Sequence, residues 1–151
     1  MRRYAALPRA RKRLLREALL SLALARAAML LLPFRRVAAW LGTPGIESAV
    51  SPTPEQIRVA QEIGWAVAGV ARRVPWDGRC LAQALAATHM LRRRGLEGTV
   101  TFGAGRGGGV GGDGSAEFSA HAWLRLGPFV VTGGPGSERF KTLTTFARRP
   151  Q

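Results

Sequence analysis

One cysteine, two histidines and nine acidic residues are all that this 151-residue chain offers for most kinds of side-chain chemistry. A lone cysteine excludes an internal disulfide framework and the usual multi-cysteine zinc sites. Two histidines would need carboxylates from a short acidic supply to hold a metal, so neither metal nor cofactor is expected. Lysine is scarce as well: only Lys12 and Lys141 occur, so the net charge of +14 is carried by arginine. No uninterrupted apolar run approaches the roughly twenty residues of a membrane span. The N-terminal stretch RRYAALPRARKRLLREALLSLALARAAMLLLPFRR comes nearest, but Glu17 stands at the edge of its apolar core and Arg26 cuts that core in two. The same interruptions exclude the plan of a secretory signal.

What remains is an ordinary globular composition. An apolar content of 46% in 151 residues is enough for one domain with a real core. The positive charge invites a nucleic-acid reading or attraction to an anionic surface. The arginines are nevertheless spread over every segment, with no helix-turn-helix and no aromatic-studded sheet to organise base readout. No nucleic-acid partner is therefore expected. A solvated basic surface facing an acidic partner fits the pattern better.

Along the chain, helical signals come first. The N-terminal stretch fits a packed helix, a helix docking a partner, or an amphipathic helix on a membrane; its interruptions favour the first two and leave peripheral membrane contact open. Pro33 breaks it, and PFRRVAAWLG predicts a short second helix ending at Gly42. TPGIESAVSP has the composition of a linker. Thr53 then supplies an N-cap, Pro54 a first helical residue, and Ile57, Ala60, Ile63, Gly64, Val67 and Val70 recur at helical spacing. A further helix is predicted from Cys80 to about Arg94, with Leu81, Ala84, Leu85, Thr88 and Leu91 as its apolar stripe and Gly95 closing it.

After Gly95 the period changes. GTVTFGAG reads as a strand and RGGGVGGDGS as a flexible glycine-rich loop without the lysine and hydroxyl placement of a nucleotide P-loop. EFSAHAWLRL and PFVVTGG read as two strands joined through Gly127-Pro128, and ERFKTLTTF as the last strand. Helices followed by an antiparallel sheet make an α+β fold. The expected division is an N-terminal helical extension over 1–50 and a catalytic or binding domain over 51–151.

Cys80 poses the chemical question. A single cysteine is commonly a small buried apolar group, whereas one near a helix start gains from unpaired amides and the positive end of the dipole, which favour a thiolate. The same amides suit an oxyanion on a substrate. A nucleophilic thiol also needs a base. His89 lies nine residues on, about 13 Å along the helix axis and half a turn out of phase, so it is out of reach while that helix is intact. His121, on a strand that can return across the helix start, is the remaining choice. Both the structural and the nucleophilic reading of the thiol remain open at this point.

The stretches WDGRCLAQALA, MLRRRG and FSAHAWL, with entry helices LLREALLSLALARAAMLLLPFRRVAAWLG, resemble the leader peptidases of lasso-peptide biosynthesis, a family of transglutaminase-like cysteine peptidases. The resemblance implies a papain/transglutaminase-like core and removal of the leader peptide from a ribosomally made precursor. An ATP-dependent cyclase then closes the macrolactam. It implies partners too: the precursor, a separate leader-recognition protein (the chain has no room for such a domain of its own) and the cyclase, in a bacterial cytoplasm with membrane contact left open. It matches Cys80 to the nucleophile and His121 to the general base. The family usually adds an aspartate about a dozen residues after the histidine. Here Gly133 stands at that position with Thr132 beside it, so the Thr132 hydroxyl or a backbone carbonyl is expected to orient the imidazole. Asp113 and Glu117 precede His121 and would arrive from another direction. Gln83 and the flanking Trp76 and Trp123 are expected chiefly to be helix-surface and packing residues. Two other readings stand beside this one. A thioester on Cys80 passes its acyl group to an amine, or the chain is a non-catalytic basic scaffold for an acidic peptide or protein.

Overall fold

A computed structural model describes residues 2–75, 80–110, 116–135 and 137–149. Trp76, Asp77 and Asp113 lie outside the described residues, as do residues 111–115 of the glycine-rich stretch. A short α1 (Arg2–Ala5) precedes α2 (Arg9–Leu31), and Pro33 separates α2 from α3 (Phe34–Leu41), which ends at Gly42 as expected. Helix α4 (Pro54–Ala71) starts at a full capping box. The Thr53 hydroxyl accepts from the Gln56 amide at 3.2 Å, and the Gln56 side chain accepts from the Thr53 amide at 2.9 Å. Two amides otherwise left without helical partners are thereby satisfied.

Helix α5 (Cys80–Arg92) is the centre of the molecule. It packs against α2 and α4 on one side and against the sheet on the other. Eight of its thirteen residues are buried, among them Ala82, Ala84, Ala86 and Ala87, whose small side chains let neighbours approach from several directions. Leu22 and Ala25 of α2, Ile63 and Val67 of α4 and Met90 and Leu91 of α5 belong to one cluster with Val100, Leu124, Leu126 and Phe146 of the sheet. Burial of each large aliphatic contributes roughly 1.5–3 kcal/mol. His89 sits half-buried in this arrangement, its Nδ1 3.1 Å from the buried Ser21 hydroxyl of α2. At the end of α5, Arg92 donates to the Trp40 and Leu41 carbonyls at 2.7 Å each and makes a two-pronged pair with Glu97. One guanidinium thus satisfies the last carbonyls of α3 while anchored from the turn after α5.

The sheet is antiparallel throughout, in the order β1-β5-β2-β3-β4. Its strands are β1 (Thr43–Pro44), β2 (Thr99–Val110), β3 (Ala116–Leu126), β4 (Phe129–Thr132) and β5 (Lys141–Ala147). Helices followed by a five-stranded antiparallel sheet are the α+β architecture expected from the sequence. Three local expectations change. The segment read as a linker after Gly42 contributes the edge strand β1, which pairs with Phe146 and Ala147. The glycine-rich stretch is not wholly a loop: β2 runs on to Val110, with Arg106 opposite Phe118 and Val110 opposite Ala116 across an irregularity in register. The last strand begins only at Lys141, because Ser137–Arg139 form a 3-10 turn. Among the described residues, no helix is long and apolar enough to cross a membrane.

Candidate active site

Cys80 is the first residue of α5, half-buried and in no disulfide. Cys80 stands at the N-terminal end of the thirteen described residues of α5, toward the positive end of the helix dipole. His121 lies in β3, opposite Gly103 of β2. Helix α5 packs along β3 and β4, so the two side chains belong to neighbouring elements.

The imidazole is held on two sides. Its Nε2 lies 2.7 Å from the Gly133 carbonyl oxygen just beyond β4. Its ring stacks on Trp123 with centroids 5.7 Å apart and packs at a tilt on Phe140 with centroids 4.9 Å apart. The hydrogen bond fixes the tautomer by elementary chemistry. A carbonyl can only accept, so Nε2 carries the proton, and in the neutral ring Nδ1 keeps a basic lone pair.

Gly133 is required at its position. Its φ of 71° is in the left-handed region, and a Cβ there would stand 2.8 Å from the Ala122 carbonyl and 3.2 Å from His121 Nε2. Phe140 reaches the imidazole over a gap in β2: a Cβ on Gly103 would lie 2.8 Å from the Phe140 Cβ and 2.9 Å from the Trp123 ring.

Thr132 stands across from Leu124 and is buried, and its Oγ1 has no hydrogen-bond partner. The contact expected of either its hydroxyl or a backbone carbonyl is made by the carbonyl of the next residue, Gly133. The structure therefore brings His121 together with Gly133, Trp123 and Phe140. Among the described residues, no hydrogen bond joins the Cys80 thiol to the imidazole. Strand alternation sets His121, Trp123 and Arg125 on one face of β3 and Ala122, Leu124 and Leu126 on the other. Leu124 is the residue that meets Leu91 of α5, both lying against Gly98. Gln83, one turn into α5, is half-buried, and Trp123 is buried under the aromatic cluster.

Phe140 was not singled out by the sequence. The available signal was the pair Gly103 and Gly105, which fall on one face of a strand otherwise rich in β-formers; such glycines mark close approach by another group. No grouping of three or more metal-ligating side chains occurs among the described residues.

The profile of the transglutaminase-like superfamily matches residues 28–145, from the last turn of α2 into β5. The chain belongs to the transglutaminase-like superfamily. Membership points to cysteine chemistry of the peptidase or acyl-transfer type. A search of the curated proteins returned no match, and neither did a search of the solved structures.

Proposed function

We propose that this transglutaminase-like domain is a leader peptidase, cleaving a ribosomally made lasso-peptide precursor with Cys80 as nucleophile and His121 as general base. The observation that carries the reading is the hydrogen bond from His121 Nε2 to the Gly133 carbonyl, which leaves Nδ1 as the base. In the substrate complex, Nδ1 takes the thiol proton and the thiolate attacks the scissile carbonyl, while first-turn amides of α5 hold the oxyanion. No hydrogen bond joins thiol and imidazole among the described residues, so the reading requires that substrate binding bring the Cys80 thiol to Nδ1. The core peptide leaves with the proton from His121, and water releases the leader from the thioester. The Gly133 carbonyl orients the ring but stabilises the imidazolium less than a carboxylate would.

A leader-recognition protein presents the precursor, and the ATP-dependent cyclase takes the product. The test is mass spectrometry of a lasso-peptide precursor after incubation with this chain and a leader-recognition protein. A free leader carboxylate is the expected product. An amide adduct would instead assign acyl transfer, and an unchanged precursor would leave the domain a binding scaffold.

A further inference from the structure

The outer face of α2 is the largest run of exposed aliphatic side chains in the described residues. Leu20 (65%), Leu24 (62%), Leu30 (66%) and Leu31 (80%) protrude from it, and Phe34 (57%) continues the row at the start of α3. Ala23 and Ala27, also exposed, fill the intervals. The spacing of three and four residues keeps these positions on one side of the helix. The opposite side carries the buried Ala18, Ser21, Leu22 and Ala25, so the exposed row is not the core face seen edge-on.

The charges are arranged around this row. The exposed Arg9, Arg13 and Arg16 occupy the same face over the first two turns of α2, and the exposed Arg35 and Arg36 follow Phe34 at the other end. The helix has a single acid, Glu17, which is turned inward and bound to Arg93 and Arg94 at the end of α5. No carboxylate therefore lies on the outer face of α2.

We propose that this face lies on an anionic lipid surface, its leucines sunk among the upper acyl chains and its arginines on headgroup phosphates. Leucines in a convex row with arginines at both ends match an interfacial helix, in which long cationic side chains reach back to the headgroups. A protein-docking hot spot, by contrast, is typically a pocketed cluster rich in tryptophan and tyrosine. Because α2 lacks the length of uninterrupted apolar sequence needed to span, the association is peripheral and reversible. This inference does not depend on the peptidase reading.

Flotation of the full chain with vesicles tests it. Binding is expected to vesicles of phosphatidylcholine mixed with phosphatidylglycerol and not to phosphatidylcholine alone. The triple variant Leu20→Gln/Leu24→Gln/Leu31→Gln should lose at least about tenfold in partitioning. Arg13→Gln should lose roughly fivefold. All four positions are solvent-exposed, and circular dichroism should match the parent chain. Absence of binding to the anionic vesicles at low salt would overturn the proposal. So would unchanged binding of the leucine variant, because net charge alone would then be responsible. A dimer in light scattering that the leucine substitutions dissociate would also overturn it, by giving the face to a second copy of the chain.

Discussion

At Gly133 a backbone carbonyl stands where a carboxylate side chain would otherwise meet the imidazole, and the two differ in charge more than in geometry. Both accept from Nε2 and fix the same tautomer, but only a carboxylate adds a full negative charge beside the imidazolium. The substitution Gly133→Ala isolates this contact. With φ at 71° and the new methyl close to the Ala122 carbonyl and His121 Nε2, stability should fall by about 1–3 kcal/mol in urea unfolding. The nitrogen NMR shifts of His121 should move toward a mixture of tautomers. Unchanged shifts would mean that the Gly133 carbonyl does not orient the ring. Helix geometry removes His89 and leaves His121 as the other histidine, but the roles of Cys80 and His121 come from the family resemblance. The carbonyl at Gly133 was only one of two options, since which polar group faces a ring depends on how a strand ends.

Among elements, the joint between α2 and α5 shows how charge and packing cooperate. Glu17 receives two hydrogen bonds from Arg94, each 2.8 Å, and lies 3.6 Å from Arg93. The hydrogen bonds from Arg94 chiefly hold its carboxyl below the usual range, with the charges of Arg94 and Arg93 adding to the effect and burial opposing it. A folded-state value below the unfolded one stabilises the fold above the ordinary carboxylate pKa of about 4.3, and the contribution disappears as pH falls through the lowered value. Glu17→Gln should therefore cost about 1 kcal/mol near neutrality, measured by urea midpoints. The gap between variant and parent should narrow steadily below about pH 4; a constant gap would point to packing instead.

The helices were legible because their caps and periods are local: Thr53, Pro54 and Gln56 announce α4 within four residues. Strand ends were less so. The glycine-rich stretch 106–110 has little intrinsic preference for a strand, and its pairing at Arg106 and Val110 comes from β3, a partner that local sequence does not display. The edge strand β1 is likewise made by β5, and Phe140 meets His121 only because Gly103 leaves the space between strands.

For the molecule as a whole, the arginine surplus and the superfamily assignment bear on different questions. Among the described residues, Glu17, Glu47, Glu55, Glu62 and Glu97 hold arginine partners, so those pairs are spent on the fold and its surface. The remaining positive charge suits acidic or anionic partners but says nothing of chemistry. The proposed chemistry rests on the thiol at the described N-terminal end of α5, the imidazole bonded to Gly133, and a transglutaminase-like domain that contains both. The most direct measurement is single-turnover cleavage of the precursor, with its recognition protein, by Cys80→Ala and His121→Ala beside the parent chain. Loss of leader release in both variants, with circular dichroism unchanged, is the predicted result; full cleavage by either one would contradict the assignment.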